Sequence, residues 1–162
     1  MNAPRLDLRE KPNNGCPACD RMSRRDFIEN GLCTQTNSVL DSLPARCAGS
    51  WAYDKIYRLV QFFGIFANRM KNQWKGLNYV EICSGPGRCV IRDQRLEIDG
   101  TALPIITHPV FPQLRKALCV DAGIQVVEAL TVRIANGGPE PDKPCAAMCL
   151  RAWRSGSGGS HR

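Results

Sequence analysis

With 162 residues, the chain has the length of one ordinary domain, which excludes a large two-domain enzyme. Hydrophobic residues make up 43% of the sequence, enough for a core, yet no apolar run approaches the roughly 18 to 20 residues of a membrane span. Residues 1–9 are polar and lack the apolar core of a signal peptide. The sequence therefore predicts a cytoplasmic protein without membrane contact.

Basic residues outnumber acidic ones, with 22 Lys and Arg against 15 Asp and Glu and a net charge of +7. Such a balance permits contact with a polyanion such as nucleic acid. Because the basic residues are scattered along the chain, a charge excess that only favours solubility is the alternative.

The first third of the chain is notable for its cysteines. Residues 1–15 are predicted to form a disordered or weakly ordered lead, since they are rich in Pro and Asn and show little periodicity. Cys16 and Cys19 then form a C-x2-C pair, followed by Cys33 and Cys47, with 13 residues in each of the two gaps. Zinc takes four ligands in a tetrahedron, and a C-x2-C turn supplies two of them. These four cysteines are the candidate zinc ligands, and free thiols are the alternative.

A long amphipathic helix is predicted next. From residue 51 to residue 74, apolar residues recur at steps of three and four, with charged residues mostly on the opposite face. Ser50 is the predicted N-cap of this helix. We interpret the apolar stripe as a face that packs against the core.

Residues 78–88 carry the clearest ligand chemistry of the chain. They begin with a short apolar run that favours a buried strand and continue into Gly85-Pro86-Gly87, which predicts a tight turn. Because glycine lacks a side chain, Gly85 and Gly87 would let backbone amides approach a bound molecule, and Glu81 would hold a carboxylate near the end of the strand. This pattern outlines a nucleotide-type pocket, although a glycine turn after a core strand is the alternative reading.

The middle of the chain alternates between strand and helix patterns. Residues 88–100 predict a small hairpin or a flap over the turn, and residues 101–109 predict a crossover segment. Residues 116–121 form a second short apolar strand that ends in Asp121, and a helical pattern follows up to residue 136. This order predicts a parallel sheet with flanking helices. In dinucleotide sites an acid after the second strand binds a ribose hydroxyl, and Asp121 is the candidate by position.

The last part of the chain predicts little further structure. Residues 145–150 can form a third strand, and residues 155–160 are Ser/Gly-rich and resemble a flexible linker. We divide the chain into a lead with a Cys-containing segment at 1–48, an α/β domain at 49–151 and a disordered tail at 152–162.

Four segments resemble a known family when they are taken in order. Residues 49–55 contain a W-x-x-D-K pattern, residues 79–88 match Y-I-D-x-F-A-G-P-G-R, residues 98–103 match D/E-G-S/T-P/A-L, and residues 119–121 form the next strand end. Together they resemble the N-terminal half of the three-Cys-motif partner family. The resemblance implies a partial Rossmann-like, methyltransferase-type parallel sheet with a pocket for S-adenosylmethionine.

The resemblance also implies roles for particular residues. The turn amides would receive the methionine end of S-adenosylmethionine, Glu81 would orient it, and Asp121 would hold the ribose. The implied cofactor-binding residues are Glu81, Ser84, Gly85, Gly87 and Asp121, and no catalytic residue can be named. A three-Cys-motif protein is the implied partner, and the family name refers to cysteines of that partner, so Cys16, Cys19 and Cys33 are not this motif.

The chain departs from the family pattern in three places and in length. Glu81 replaces an aspartate, Cys83 replaces an aromatic residue or glycine, and Thr101-Ala102 replaces Ser-Pro. Family members continue well beyond this point, so the sequence predicts a truncated domain that lacks the later strands and any catalytic motif. The alternatives are a non-enzymatic protein that binds a partner protein or nucleic acid and carries a structural zinc site, and a chain whose half-sheet does not fold stably.

Overall fold

The described residues form two small β-sheets and three α-helices. The computed structural model describes residues 11–15, 35–110, 114–137 and 148–152, which form a mixed α/β structure with parallel and antiparallel strand pairs. The strands are β1 (Lys11–Pro12), β2 (Gln35–Asn37), β3 (Pro44–Ala48), β4 (Leu77–Ile82), β5 (Arg88–Ile91), β6 (Leu96–Asp99), β7 (Leu114–Asp121) and β8 (Met148–Ala152). The helices are α1 (Trp51–Met70), α2 (Ala102–Ile106) and α3 (Ile124–Gly137), with a 3₁₀ turn at Arg92–Gln94.

The first sheet has the strand order β1-β6-β5-β3-β2. Strands β5 and β6 form an antiparallel hairpin, one of the two arrangements predicted for residues 88–100, and the chain reverses through Arg95 at a φ of 52°. Strand β3 lies parallel to β5, with Cys47 opposite Val90. Hydrogen bonds of this sheet therefore join residues on both sides of the predicted boundary after residue 48.

Residues 11–15, which the sequence predicted to be part of a weakly ordered lead, contribute strand β1 to the first sheet. Strand β1 pairs with β6, and the side-chain amide of Asn13 donates to the carboxylate of Glu97 at 2.7 Å. A buried carboxylate needs donors, and the lead supplies one of them. Composition alone does not reveal such a long-range partner. Residues 1–10 lie outside the described part of the chain.

The second sheet has the order β4-β7-β8 and is parallel throughout. Its pairing confirms that the glycine-turn strand and the strand ending in Asp121 are parallel neighbours, with Ile82 opposite Val120. Strand β8 overlaps the third strand predicted at residues 145–150. Because β4 and β7 run in the same direction, both of their carboxyl ends lie at one edge of the sheet.

Helix α1 begins as predicted but ends at Met70 rather than at Trp74. Ser50 does not cap it: the residue has helical φ and ψ angles of −54° and −32°, and its side chain makes no capping hydrogen bond. The helical turn already starts one residue earlier, since the Ala52 N–H donates to the Gly49 carbonyl at 3.0 Å. No helix in the described residues combines the length and apolar character needed to cross a bilayer.

A single core cluster joins the helices to both sheets. Its buried side chains come from α1, the β5–β6 hairpin, α2, β7 and α3. The largest of its fully buried side chains are those of Val60, Ile91, Ile98, Ile105, Ile106 and Leu130. The core thus holds the ends of β4 and β7 against the hairpin, and this arrangement positions the glycine turn.

Candidate functional site

The chain leaves β4 through three alternate residues in the left-handed region of backbone space. Cys83, Gly85 and Gly87 have φ values of 60°, 69° and 90°. Glycine adopts such angles without steric cost, whereas a cysteine does so at a penalty. The Ser84 N–H donates to the Val120 carbonyl at 3.0 Å, so the turn is fastened to the neighbouring strand β7.

The two glycines of this turn serve different purposes. A Cβ atom on Gly87 would lie 2.9 Å from Cδ1 of Leu130, so this glycine permits close packing against α3. A Cβ atom on Gly85 would meet Nη1 of Arg46 at 3.9 Å, which is ordinary contact distance. A Cβ atom would therefore fit at Gly85 without a clash, and this buried glycine borders unfilled space on one side.

That open space is a cavity of about 180 Å³ between the glycine turn, strand β3 and the first turns of α1, which we call the glycine-turn cavity. It is lined by Arg46, Ala48, Trp51, Ala52, Lys55, Ile56, Cys83, Ser84, Gly85, Pro86, Gly87, Arg88, Cys89, Gly100 and Thr101.

Three cations and no carboxylate stand among the described residues that line the cavity. Arg88 is held by the buried carboxylates of Glu97 and Asp99 at 3.3 and 3.2 Å. Arg46 lies 3.7 Å from Asp121, and Lys55 is exposed at the rim. Arg88 and Arg46 each already face a carboxylate, so the positive charge that the cavity offers to an anionic group comes mainly from Lys55 at its rim.

Three of the five predicted cofactor-binding residues line the cavity, namely Ser84, Gly85 and Gly87. Asp121 lies behind the turn and is 6% exposed. One of its carboxylate oxygens accepts the Gly85 N–H at 2.9 Å, and the other accepts the Gly123 N–H at 3.3 Å. In this structure its carboxylate therefore shapes the turn.

Glu81 also stands behind the cavity wall. Its carboxylate accepts hydrogen bonds from the hydroxyls of Tyr79, at 2.8 Å, and of Thr101. Burial raises the pKa of Glu81, and the hydrogen bonds from Thr101 and Tyr79 and the charge of Lys55 only partly oppose this rise. Burial, and next the charge of Glu81, raise the pKa of Tyr79 well above its usual range. The Tyr79 hydroxyl therefore stays protonated, and the hydroxyls of Tyr79 and Thr101 both donate to the Glu81 carboxylate.

Arg133 is a residue of the site that the sequence analysis missed. Its side chain is 4% exposed, and its guanidinium donates two hydrogen bonds of 2.7 Å to the Asp41 carboxylate. It also donates to the carbonyls of Pro44 at 2.7 Å and Pro86 at 2.6 Å. The arginine therefore ties the glycine turn to the β2–β3 turn. Arg133 lies on the apolar stripe of α3, three residues after Leu130, and this position could have indicated a buried charge with partners.

Glu97 is a second residue that was not predicted, because the charged pattern of the hairpin gave no sign that one of its acids is buried. It is 0% exposed and accepts hydrogen bonds from Asn13 at 2.7 Å, from the Ser38 hydroxyl at 2.5 Å and from the Val39 N–H at 3.0 Å. With Arg88 it forms a buried ion pair directly behind the cavity. This hydrogen-bonded polar cluster fixes the position of Arg88 in the cavity wall.

The predicted zinc site falls largely outside the described residues. Cys16, Cys19 and Cys33 are not described, whereas Cys47 is half-buried in β3. Within the described ranges, no group of three or more His, Cys, Asp or Glu side chains is placed to hold a metal ion. Zinc binding by these four cysteines stays a prediction.

Comparisons with protein-family models, with curated proteins and with solved structures found no match to this chain. We therefore infer a function from the geometry of the glycine-turn cavity and from the motifs in the sequence.

Proposed function

We propose that the chain is a partial Rossmann-like, methyltransferase-type domain, of the three-Cys-motif partner kind, that binds S-adenosylmethionine in the glycine-turn cavity. The observation that carries the proposal is Gly85, which lines, in a left-handed conformation, a cavity at the carboxyl end of β4 whose lining also includes three basic side chains. In open parallel sheets, ligands bind outside the carboxyl ends of the strands. The resemblance further implies a three-Cys-motif protein as the binding partner.

The size and charge of the cavity select one end of this cofactor. About 180 Å³ is less than the roughly 300 to 1,000 Å³ of pockets that enclose a whole drug-sized ligand. The methionine end carries a carboxylate, and Arg46 and Lys55 match that charge. We therefore assign the methionine end to the cavity and the adenosine end to the surface outside it.

Glu81 and Asp121 support this site from behind. Asp121 holds the Gly85 amide, and Glu81 holds the Thr101 hydroxyl, so each fixes a residue that lines the cavity. The predicted contact between Asp121 and a ribose would require its carboxylate to move out of its buried position. We propose that both acids act by positioning the cavity wall.

The proposal concerns cofactor binding and assigns no catalytic residue. Bound S-adenosylmethionine supplies an activated methyl group, and the transfer itself depends mainly on positioning and exclusion of water. The described residues supply the glycine turn, the cationic wall and the exposed thiol of Cys83 at the cavity.

Protection of Cys83 from alkylation tests the proposal directly. Cys83 is exposed and lines the cavity, and trypsin releases it in the peptide of residues 76–88, where it is the only cysteine. S-adenosylmethionine should slow its reaction with N-ethylmaleimide in proportion to occupancy, as measured by mass spectrometry of this peptide. S-adenosylhomocysteine, which keeps the carboxylate, should also protect Cys83, whereas adenosine should not.

A pair of matched variants tests the assigned wall. Lys55→Ala removes a cation from the cavity and should weaken binding of S-adenosylmethionine about tenfold by calorimetry, since a charged hydrogen bond is lost. Arg58→Ala removes an exposed cation that does not line the cavity and should leave the affinity unchanged. Equal effects of the two substitutions, or an absence of binding and protection at millimolar cofactor, would refute the proposal.

A further inference from the structure

The solvent face of α1 carries an unusual row of side chains. Apolar and basic residues recur there at steps of three and four, on the side of the helix opposite the buried Ile56, Val60 and Phe63. All of them are exposed, with 63% for Trp51, 63% for Phe62 and 65% for Ile65. We call this row the basic–aromatic stripe, which consists of Trp51, Lys55, Arg58, Phe62, Ile65, Phe66 and Arg69.

Basic and apolar side chains are interspersed along the whole length of the stripe. From Trp51 to Arg69 the helix rises by about 27 Å at 1.5 Å per residue. The rings of Phe62 and Phe66 stack with centroids 5.8 Å apart and planes at 20°. The ammonium of Lys55 lies 5.8 Å from the centre of the Trp51 ring. The seven residues of the stripe include no acid, and the exposed Asp54 lies beside it, four residues before Arg58.

Packing of the core does not account for the stripe. The buried face of α1 has its own apolar residues, and scattered exposed apolar side chains on a monomer need no explanation. A continuous row of them at helical spacing is different, because contiguous exposed apolar surface marks a binding site. The row of cations within the same surface then limits the ligand to an anion with apolar faces.

We propose that the basic–aromatic stripe binds single-stranded nucleic acid. Proteins that bind single strands combine cations that follow the phosphates with aromatic rings on which the bases stack. Lys55, Arg58 and Arg69 supply the cations, and Trp51 and the Phe62–Phe66 pair supply the rings. Paired bases in a duplex would not expose their faces to these rings.

The distribution of charge favours nucleic acid over a lipid surface. A helix that lies in a membrane interface separates an apolar face, which enters the lipid, from a polar face that carries Lys and Arg. In α1 the cations Arg58 and Arg69 lie between the exposed apolar side chains, and the true apolar face is buried in the core. Insertion of the rings into lipid would therefore also bring the neighbouring cations into the apolar layer.

The stripe also ends at the glycine-turn cavity, because Trp51 and Lys55 belong to both. A strand bound along α1 would bring a base to the mouth of the cavity. If S-adenosylmethionine binds in the cavity, as proposed above, this base would be the methyl acceptor. Binding of nucleic acid by the stripe does not depend on that proposed function.

Fluorescence anisotropy with a fluorescein-labelled oligothymidylate of about 12 nucleotides tests the proposal. With three phosphate contacts, the logarithm of the affinity should fall with the logarithm of salt concentration at a slope of about −2. The double variant Arg58→Ala/Arg69→Ala should weaken binding at least tenfold at about 50 mM salt and reduce that slope by about 1.4. Phe62→Ala should weaken binding about fivefold or more with an unchanged slope, since only stacking is lost.

Lys116→Ala is the matched control, because Lys116 is an exposed cation on β7 away from the stripe. It should leave both affinity and slope unchanged. All four substituted positions are exposed, so the variants should fold, and circular dichroism checks this. The two proposals can be tested independently by measuring Cys83 alkylation in the Arg58→Ala/Arg69→Ala variant. S-adenosylmethionine should still protect Cys83 there, because neither arginine lines the cavity.

Several results would overturn the assignment. No binding of the oligonucleotide at low salt would do so, as would equal losses in Lys116→Ala and the stripe variants. Binding to phosphatidylserine vesicles that depends on Phe62, without binding to the oligonucleotide, would assign the stripe to a lipid surface. A concentration-dependent dimer that Phe62→Ala dissociates, seen by light scattering, would assign it to self-association.

Discussion

The carboxylate of Asp121 accepts the backbone N–H of Gly85 at 2.9 Å, so the acid at the end of β7 closes the glycine turn that follows β4. The bond links residues 36 positions apart and is buried. A buried N–H that loses its acceptor costs much more than an exposed one. The acid is therefore important for the shape of the cavity, whether or not it also contacts a ligand.

Replacing Asp121 tests this link. Asp121→Ala should lower the free energy of unfolding by about 1–3 kcal/mol, because the Gly85 N–H is left without its acceptor. Asp121→Asn keeps an acceptor oxygen and should cost less. Urea denaturation followed by circular dichroism measures both, and a loss that is the same in the two variants would contradict this account.

Replacing Cys83 with glycine should make the protein more stable. It has a φ of 60°, and a side chain in this region costs roughly 1–2 kcal/mol, which exceeds the roughly 0.5–1 kcal/mol by which glycine weakens a regular element. Cys83→Gly should therefore raise the stability slightly, by up to about 1 kcal/mol. Cys83→Val should lower it, since a branched side chain fits this region worst. Thermal unfolding gives the order of the three proteins, and a less stable glycine variant would be inconsistent with strain at this position.

Arg133 should be among the least replaceable residues. Arg133→Met keeps much of the side-chain volume but removes the donors to Asp41, Pro44 and Pro86, so the variant should lose about 3 kcal/mol or more. Asp41→Asn should cost less, because the guanidinium keeps its carbonyl partners. Urea denaturation compares the two, and the reverse order would show that the ion pair matters more than the carbonyl contacts.

The ionisation of Asp41 should also make the stability of the protein depend on pH. Desolvation raises its pKa, but the hydrogen bonds from Arg133 and the Leu43 amide outweigh this, and the pKa is lowered. A lowered pKa means that the ionised acid stabilises the fold above the unfolded pKa of about 4, and that this stability is lost as the pH falls through the folded pKa. The wild type should lose this contribution in acid, and Asp41→Asn should not. Parallel curves of stability against pH for the two proteins would contradict the prediction.

For Glu81 we expect stability to depend on pH in the opposite direction. Burial raises its pKa, so the folded protein holds the proton more tightly than the unfolded chain does. Stability should therefore fall as the pH rises from the unfolded pKa, near 4, through the folded pKa, and should then stay level. Glu81→Gln should remove this fall and be at least as stable as the wild type at neutral pH. Denaturation midpoints between pH 4 and pH 8 test this, and a less stable glutamine variant at neutral pH would show that the hydrogen bonds require the charge.

Local patterns predicted the parts of the fold that depend on neighbouring residues. Helical periodicity indicated α1 and α3, and the glycine turn together with Asp121 indicated two parallel strands with their carboxyl ends at one edge. Three cavity-lining residues followed from the same turn. These features depend on spacing and backbone freedom, which a single sequence displays.

Long-range polar pairing could not be predicted in the same way. The charged segment at 88–100 predicted a hairpin or a flap without indicating a buried acid, yet Glu97 is buried because Asn13, Ser38 and Arg88 surround it. Arg133 likewise has partners about 90 positions away. Nothing in the sequence near a charged residue specifies a partner so distant, so the polar framework behind the cavity was missed.

The parallel pairing of β3 with β5 has a consequence for how the chain folds. After β3 the chain leaves the first sheet, forms α1 and β4 of the second sheet, returns for β5 and β6, and then adds β7 to the second sheet. Neither sheet is a continuous segment: the connection from β3 to β5 contains β4, and the connection from β4 to β7 contains β5 and β6. Contacts between such distant segments slow folding, because the entropy of loop closure is lost before the contacts form. The two sheets should accordingly form and melt in one cooperative step.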